Sequence, residues 1–470
     1  MSENIQEEFA NAELNDERRS RRLCKMVEAM AQAPEASLAA ACGGWAETVA
    51  AYRLLGSEEL KPEALLEPHR RAVVERCRAF ACVAVSQDTT ELDFTRMKAA
   101  KGLGVLNEES RRGFFMHSLY AASEEGVPLG ILHAGIVARP PEDLGNAAKR
   151  KHLPIEDKES WRWVDGYLRS SQLAGQLPDC EVFSISDREG DIFEIFEAWQ
   201  KLEGSPRAEW IIRANQDRAL AGLPGGQGAK LFEALAKAPV LGEVSFEMRA
   251  RKGTRKIKGS TKAFKRSART VHQVIRAMEI RPRPPYRKAG KLPEVSFHAI
   301  LAEEVDAPAG EEPVRWILLT SKPVASLADA RRIIKLYLGR WDIEVFHKVL
   351  KSGCRVERIQ LKEGRALVNA ITIYAVIAWR ILYLTHLGRQ CPELPCGCVF
   401  DEAEWKAACA VVKRDKNAGE PSLGEFVAIV GKLGGHLGRK RDGPPGPQSM
   451  WRGLMRIRDF AFAWQAFHGC

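Results

Sequence analysis

The sequence has little that would carry the protein out of the cell or into a membrane. Its opening residues, MSENIQEEFANAEL, are acidic and contain no apolar stretch of the kind found in a secretory signal. One later stretch, residues 366 to 387, is apolar enough to be considered as a membrane span. Polar side chains interrupt it at Asn369, Thr372, Arg380 and Thr385. We therefore predict a buried helix there, and a cytoplasmic protein without a membrane partner.

The cysteines do not form a disulfide framework. There are eleven, an odd number scattered along 470 residues, which agrees with a reducing compartment. Their one cluster, CPELPCGC with Cys391, Cys396 and Cys398, has no CxxC partner, and the nearest imidazole is His386. A turn with unpaired thiols fits this cluster better than the alternative, a zinc site.

Acidic residues are nearly missing from one part of the chain. Residues 251 to 288 contain fourteen Lys or Arg residues and a single acid, Glu279. The chain as a whole has 71 Lys and Arg against 61 Asp and Glu, which gives a net charge of +10. A basic block this dense favours nucleic acid or an anionic membrane as a partner.

What is present suggests about three domains, the first of them helical and spanning residues 1 to 75. One predicted helix, following a cap at Asn15 and Asp16, has arginines crowded into its first turns: Arg18, Arg19, Arg21 and Arg22. Cations are unfavourable at a helix N-terminus, so this cluster predicts an anionic partner. A second helix ends near Gly56 and exposes Arg53. We predict a small DNA-binding domain, with a plain helical cap as the alternative.

The second domain is predicted to run from residue 76 to 370. Short β-rich stretches at 80–88, 113–123 and 127–139 are followed by alternating helix and strand, with strands at 180–187, 208–215 and 314–321. This order predicts a mixed sheet covered by helices, as in a ribonuclease H-like core. Residues 219 to 312 interrupt the order and are predicted to form a β-rich insertion that carries the basic block. Residues 371 to 470 are predicted to form a helical C-terminal region.

Residues 331 to 357 carry the most informative pattern. Projected as one helix, the stretch places a set of polar side chains on one face and apolar side chains on the other. The polar set is Tyr337, Arg340, Glu344, His347, Lys348 and Lys351. One carboxylate among cations suits a polyanion with a metal ion beside it. The alternative is a solvated basic face in which Glu344 pairs with Arg340 or Lys348.

Two further carboxylates, Asp88 and Asp187, stand at predicted strand ends, where a sheet delivers polar groups into a crevice. Brought together with Glu344 they would make an all-oxygen site suited to Mg²⁺ or Mn²⁺. Two such ions can promote in-line cleavage of a phosphodiester. Each aspartate taken singly could equally be a turn or N-cap residue.

These residues resemble a known family. Tyr337, Arg340, Glu344 and Lys351 reproduce the Y-x2-R-x3-E-x6-K motif of bacterial insertion-sequence transposases, in the group that contains the Tn-five and IS-four elements. QDTTEL resembles the first-aspartate motif of this family, and SISDREGDIF resembles the second. The likeness extends over most of the chain.

The resemblance implies a DDE transposase with a ribonuclease H-like core, in which Asp88, Asp187 and Glu344 are the catalytic metal ligands. Tyr337, Arg340 and Lys351 would hold DNA phosphates, with His347 and Lys348 adjacent. Further implied DNA contacts are Trp316, Arg213, Lys158 and Arg162. Trp316 would stack on a flipped base if the reaction passes through a DNA hairpin, and a core tryptophan is the alternative. For Lys158 and Arg162 the alternative is a solvated helix face.

The implied partners are double-stranded DNA, as transposon ends and target, and a second copy of the chain. Each core of such a homodimer acts on the end held by the other subunit. The final helix, with Trp451, Leu454, Phe460, Phe462 and Trp464, would suit either the dimer contact or an intramolecular core. Two rival functions stay open: a catalytically inactive DNA-binding inhibitor or domesticated derivative, and a stand-alone ribonuclease H-like nuclease.

Overall fold

A computed structural model describes residues 5–14, 16–145, 153–221, 229–257, 260–285, 293–439 and 442–468, without the side chains of residues 251–265, 416 and 468. The chain forms two compact units. The first unit combines Met1–Leu153 with Trp341–Cys470, and the second unit is Pro154–Arg340. Both ends of the chain therefore belong to the same unit.

The first unit is largely helical. Its helices are α1 (Glu17–Gln32), α2 (Leu38–Cys42), α3 (Trp45–Leu55), α4 (Pro62–Cys77), α9 (Trp341–Lys348), α10 (Gly364–Gln390), α11 (Glu402–Val411), α12 (Leu423–Leu433) and α13 (Pro447–His468). The cap predicted before α1 is present, because the Asp16 carboxylate accepts the backbone N–H of Arg18 at 2.8 Å. Asn15 lies outside the described residues.

Four antiparallel strands complete the first unit: β1 (Cys82–Asp93), β2 (Gly104–Val105), β3 (Arg112–Ser123) and β4 (Pro128–Val137). β1 pairs with β3 from Val83, opposite Ser123, to Asp93, opposite Gly113. β2 and β4 both pair with β3. β1 extends five residues beyond the predicted end at Asp88, because its pairing with β3 continues to Asp93.

α10 is the central helix of the first unit. It is long and apolar enough to cross a membrane by composition, but 83% of its most apolar window is buried inside the protein. Two of its buried polar side chains donate to backbone carbonyls of neighbouring elements: Asn369 Nδ2 to Leu55 at 2.8 Å, and Trp379 Nε1 to Pro128 at 3.1 Å. This agrees with the predicted buried helix, and no membrane protein is indicated.

A buried polar network fastens the N-terminal segment to this unit. The Glu8 carboxylate accepts Arg76 Nη1 at 2.7 Å and the Nδ1–H of His69. His69 Nε2 accepts the backbone N–H of Ile131 at 3.0 Å, which fixes the proton on Nδ1. The guanidinium of Arg76 lies 4.4 Å from the ring centroid of Trp379. Residues near the start of the chain are thereby tied to α4, β4 and α10.

The second unit contains a mixed sheet. Its strands are β5 (Glu181–Ser186), β6 (Glu209–Arg213), β7 (Val240–Met248), β8 (Arg251–Ile257), β9 (Ser260–Arg266), β10 (Arg269–Ile280), β11 (Phe297–Val305) and β12 (Arg315–Thr320). β5 and β6 are parallel, and the order continues β6-β12-β11-β10-β7 with antiparallel pairs. β8 and β9 form a separate antiparallel ribbon.

Helices pack around this sheet: α5 (Trp161–Gln176), α6 (Phe193–Lys201), α7 (Leu231–Ala236) and α8 (Leu327–Gly339). Fully buried aromatic rings of Phe196, Trp210 and Phe297 form the core, with centroids 4.6 to 5.0 Å apart. The predicted mixed α/β architecture with a β-rich insertion is confirmed. The side chains of 251–265 and residues 286–288 of the basic block lie outside the described part.

Helix α13 contributes side chains to two apolar clusters. Trp451 is buried, and Leu454 and Phe460 pack against the neighbouring apolar clusters, so these three serve the intramolecular core. Phe462 and Phe467 are 76% and 85% exposed. Some apolar side chains of the final helix therefore pack in the intramolecular core, and others are exposed on the surface.

The CPELPCGC segment forms a tight turn at Cys396–Cys398. Burial raises the pKa of the Cys396 thiol to about 12, and the Cys398 thiol donates to the carbonyl of Pro395 at 2.8 Å. Among the described residues, no group of three or more His, Cys, Asp or Glu side chains has metal-binding geometry. A turn is present at this segment, as the sequence predicts.

Candidate active site

Asp88 lies inside β1, opposite Ser118 of β3, rather than at a strand end. Its Oδ1 accepts the backbone N–H of Thr89 at 2.8 Å, and the side chain is half-buried. Thr89 Oγ1 lies 2.9 Å from Nδ1 of His117, so the polar groups beside Asp88 are held by their neighbours. The strand-end prediction was wrong for this residue, but the carboxylate still reaches a partly solvated position.

Glu344 lies on α9, which packs against β1 in the same unit. The fully buried side chains of Ile343 and Phe346 anchor the helix, and the ring of Phe346 lies 5.8 Å from that of Tyr120 on β3. Glu344 itself is half-buried. Two of the three predicted carboxylates, Asp88 and Glu344, are thus carried by contacting elements.

The predicted single helix through residues 331–357 is wrong. α8 ends at Gly339, Arg340 is a turn residue, α9 covers Trp341–Lys348, and Val349–Gly353 forms a wider π-type turn. Tyr337 and Arg340 belong to the second unit, while the motif residues from Glu344 onward belong to the first. The helical projection fails because it assumes a uniform 100° per residue across the break and the π turn.

His347 points into the protein although it lies within the same helix as Glu344. Its side chain is buried, and Nε2 lies 3.1 Å from the hydroxyl of Ser118. It therefore faces β3 and not the surface where a phosphate would bind, whereas Lys348 is exposed. The placement of His347 on the polar face is corrected.

Lys351 lies beside the residues that follow Asp88 on β1. Its Nζ donates to the carbonyl of Glu91 at 2.7 Å and lies 3.5 Å from the hydroxyl of Thr90. A longer ion pair of 3.7 Å joins it to Glu357. The ammonium group is half-buried and held close to β1, where it adds positive charge near the candidate carboxylates of the first unit.

Asp187 directly follows β5 and caps the short helical turn Arg188–Gly190. Its Oδ1 accepts the backbone N–H of Glu189 at 2.8 Å. The parallel register pairs Ser186 with Ile212, so the next residues, Asp187 and Arg213, leave β5 and β6 side by side. These are the carboxyl ends of parallel strands, as predicted for Asp187.

Arg162 lies close to the same turn. Its Nη2 is 3.5 Å from the carboxylate of Glu189, and its Nε is buried without an acceptor among the described residues. Lys158 is half-buried just before α5, where its N–H closes the turn Ile155–Asp157. Gly190 packs so tightly that a Cβ would collide with the hydroxyl of Ser186, which explains the glycine in this motif.

Trp316 lies on β12 and is half-buried, so it is not a core tryptophan such as Trp210. Its ring lies edge-on to Tyr337, with centroids 6.1 Å apart. Tyr337 is buried, and the guanidinium of Arg340 lies 5.9 Å from its ring centroid. The three side chains form a continuous aromatic and cationic group in the second unit.

The N-terminal arginines divide into two groups. Arg18, Arg22 and Arg53 are exposed, whereas Arg19 forms an ion pair with Glu59. Sequence reasoning missed Trp45, which begins α3 and is 83% exposed, and Tyr52, which is 38% exposed. The two aromatics are seven residues apart and so share one helix face, a spacing that was visible in the sequence.

The carboxylates fit a hard cation by donor chemistry, because Asp88, Asp187 and Glu344 supply only oxygen. Among the residues that the structure describes, no group of three or more His, Cys, Asp or Glu side chains that could hold a metal ion is found. Asp88 and Glu344 lie in the first unit and Asp187 in the second.

Three family models match the chain in order along the sequence. The model described as Transposase DNA-binding matches residues 1–60. Transposase DDE domain matches residues 197–380, which include Arg213, Trp316 and Glu344. Transposase Tn5 dimerisation domain matches residues 376–465. The mixed α/β structure agrees with the ribonuclease H-like fold of such enzymes. The chain therefore belongs to the Tn5-like DDE transposases of the IS4 family, enzymes that act on DNA.

Proposed function

We propose that the protein binds the end sequences of its own transposable element as a homodimer in the cytoplasm, cleaves the DNA there and joins it to a target. The order of the three family matches, a DNA-binding region, a catalytic domain and a dimerisation region, is the observation that carries this proposal. The basic net charge of +10 supports binding of a polyanion.

Within this function, Asp88, Asp187 and Glu344 would hold the divalent cations. Each supplies a carboxylate, and the β1 and α9 elements that carry Asp88 and Glu344 contact one another. The chemistry that bound Mg²⁺ or Mn²⁺ supplies is activation of a water or 3′-hydroxyl and stabilisation of the leaving oxygen. The protein side chains contribute by holding the reacting phosphodiester in line, since positioning supplies much of the rate in phosphoryl transfer.

Lys351 and Arg340 would neutralise the phosphates next to the cleaved bond. Lys351 is supported by its fixed position on the carbonyl of Glu91, and the exposed Lys348 adds charge one turn away. Tyr337 is buried, so we assign it the role of supporting Trp316 and Arg340. This role replaces the phosphate contact that the resemblance implied for its hydroxyl. His347 is left out of the phosphate contacts because it bonds to Ser118.

Trp316 would stack on a base turned out of the duplex, which favours a hairpin intermediate after the first nick. Partial exposure and edge-on support by Tyr337 leave part of an indole ring available for stacking. Arg213 would contact the DNA backbone beside Asp187. Arg162, 3.5 Å from Glu189 of the Asp187 turn, and Lys158, just before α5, would add phosphate contacts.

The N-terminal domain, residues 1–75, would recognise the end sequence through the exposed face of α3 and the cations of α1. Arg18, Arg22 and Arg53 would bind phosphates. Trp45 would add apolar contact with the DNA. The catalytic core would span 76–370, and the region 371–470 would dimerise through the apolar side chains that α13 leaves exposed, Phe462 and Phe467.

The rival reading is a catalytically inactive DNA-binding derivative. A purely binding surface gains nothing from three carboxylates beside phosphates, so their presence favours the enzyme. The test uses the purified full chain with duplexes that carry the inverted repeats flanking its gene. Mg²⁺-dependent nicking of these duplexes supports the proposal. Binding without nicking, in both Mg²⁺ and Mn²⁺, overturns it in favour of the inactive derivative.

A further inference from the structure

A buried carboxylate, Asp191, joins two loops at the carboxyl ends of β5 and β6. Its side chain is fully buried, and Oδ2 accepts the backbone N–H groups of Asn215 and Gln216 at 2.7 and 2.8 Å. Oδ1 lies 2.7 Å from Nη2 of Arg218, which is itself nearly buried. The carboxylate therefore accepts two backbone N–H groups and forms an ion pair with one guanidinium, all from the segment that follows β6.

The backbone of Asp191 strengthens the same connection. Its carbonyl accepts Nε2 of Gln216 at 3.1 Å and Nη2 of Arg218 at 3.0 Å. The guanidinium of Arg218 lies 5.3 Å from the ring centroid of Phe196 in the aromatic core. Both ends of the connection are thus anchored, one in the Asp187 turn and the other in packed core.

The position of Asp191 along the chain gives this connection its meaning. Asp187 caps the turn Arg188–Gly190, and Asp191 ends that turn by donating its N–H to the carbonyl of Arg188. Arg213 is the last residue of β6, two residues before Asn215. The charged hydrogen bonds of Asp191 therefore hold the turn that carries Asp187 at a fixed distance from the loop that follows Arg213.

We propose that Asp191 is a positioning residue for the DNA-cleavage reaction, which clasps the Asp187 turn to the 213–218 segment so that Asp187 and Arg213 stay in register. This inference rests on the proposed function. Asp191 touches neither DNA nor metal in this role, and it acts only through the two loops that it joins.

The variant Asp191→Asn keeps the size and shape of the side chain. It replaces one acceptor oxygen with an NH₂ group, which faces the N–H donors of the 215–218 segment and cannot accept from them. The variant therefore removes part of the clasp. A matched control is Glu304→Gln in the same unit. Glu304 is also buried, and it accepts Arg269 Nε at 2.7 Å and the backbone N–H of Val314 at 2.7 Å. It joins β11 to β10 and to the residue that precedes β12. Both variants lose a buried charged hydrogen-bond acceptor, and only one of them adjoins Asp187.

The first measurement is hydrogen exchange by mass spectrometry on the full chain without DNA. We expect Asp191→Asn to speed exchange in segment 213–218 by roughly 10- to 100-fold, as loss of a charged hydrogen bond predicts, with no change around β10 and β11. The milder variant Gln216→Ala, which removes only the 3.1 Å bond, should speed it by roughly 2- to 10-fold. Unchanged exchange at 213–218 in both variants overturns the clasp, and Gln216→Ala decides the matter if Asp191→Asn does not fold.

The second measurement is single-turnover cleavage of end-containing DNA at saturating DNA, at a temperature where all variants are folded. Misplacement of about 1 Å is expected to slow cleavage by Asp191→Asn roughly 100-fold, whereas Glu304→Gln stays near wild type. Equal losses in the two variants, or wild-type cleavage by Asp191→Asn, overturn the positioning role. If the wild type does not cleave, the proposed function fails, and the exchange experiment alone then decides whether the clasp exists.

Discussion

The indole ring of Trp316 lies edge-on against the phenol ring of Tyr337, with the ring planes inclined at 66°. The contact joins β12 to α8, and it connects the strand tryptophan to the first residue of the Y-R-E-K motif. A motif residue that is buried and supports an aromatic neighbour acts through that neighbour. This relationship leads to the first prediction.

Trp316→Ala should allow the first nick but reduce hairpin formation roughly 10- to 100-fold, because a base turned out of the duplex loses its stacking partner, worth about 1–3 kcal/mol. Denaturing gels of end-labelled DNA separate nicked and hairpin products. Trp316→Phe, which keeps an aromatic face, should retain part of the hairpin product. Equal hairpin yields from Trp316→Ala and the wild type would remove Trp316 from this role.

Replacement of any of the three carboxylates should abolish cleavage while end binding persists. For Asp88→Asn, Asp187→Asn and Glu344→Gln we expect losses of roughly 10⁴-fold or more, the scale seen when one member of a catalytic unit is removed. Asp93→Asn is the control, since it lies on β1 but pairs with Arg111 at 2.9 Å. A carboxylate variant that still cleaves in Mg²⁺ would exclude that residue from the site.

Trp45→Ala should weaken end binding by roughly tenfold or more without changing thermal stability, because the side chain is 83% exposed and a tryptophan in a contact surface tends to dominate its energy. Binding is measured by fluorescence anisotropy at fixed salt. Leu437→Ala, at another exposed apolar residue, should bind normally. For comparison, Arg22→Ala should reduce the salt dependence of DNA binding by the equivalent of about one phosphate contact. Normal binding by Trp45→Ala would show that α3 meets the DNA elsewhere.

The stability of the first unit should fall as the pH drops below about 6.5. Burial lowers the pKa of His69 from its ordinary 6.5, so the unfolded chain takes up a proton that the folded protein excludes. The expected slope reaches at most about 1.4 kcal/mol per pH unit for this one group. Glu8 acts only at lower pH: burial opposes its ionisation, but His69 and Arg76 lower its pKa to about 2, so its contribution is lost between about pH 4.5 and 2.

His69→Gln provides the test of this pH dependence. A glutamine can accept the N–H of Ile131 and donate to Glu8, so it keeps both bonds without titrating near neutrality. Urea-unfolding midpoints are measured at several pH values between 7.5 and 5. As the pH is lowered, the midpoint should fall less steeply in the variant than in the wild type. Parallel curves would mean that His69 does not set the slope.

Phe462→Ser combined with Phe467→Ser should shift the protein toward monomer. Both side chains are exposed, so the monomer should lose no more than about 0.5 kcal/mol of stability. Sedimentation velocity in the presence of end DNA measures the change. A control at Val411, which is 47% exposed on α11, should leave the assembly intact when replaced by Ser. Unchanged dimer in the double variant would place the interface elsewhere in the C-terminal region.

The β-strands of the core could be predicted from the sequence because alternation and strand formers report local structure directly. The predicted strand 208–215 is β6, Glu209–Arg213, and the predicted strand 314–321 is β12, Arg315–Thr320. The strand through Asp88 was predicted too short, since polar Gln87, Asp88 and Thr89 read as a turn. Pairing with β3 overrides that local signal and carries β1 on to Asp93.

The candidate site was predicted less completely. The identities of Asp187 and Glu344 follow from motifs, but the burial of His347 depends on how α9 packs against β3, which no spacing rule anticipates. Asp191 was visible as part of the motif SISDREGD, but the sequence alone did not distinguish it from an ordinary turn residue. Its role emerges only when the loop after β6 folds onto it, because the donors come from residues 24 to 27 positions away.

The first unit is built from two separated stretches of chain, and this constrains how the protein is made. One apolar cluster contains Ile5 and Leu23 together with Ile371 and Trp451. A ribosome that has released residues 1–153 has supplied only part of that cluster, so α10, a partner of both α1 and α4, is still missing. The second unit, Pro154–Arg340, is complete earlier and is free to fold first. The N-terminal stretch therefore keeps part of its apolar surface uncovered until α10 and the final helices are synthesised.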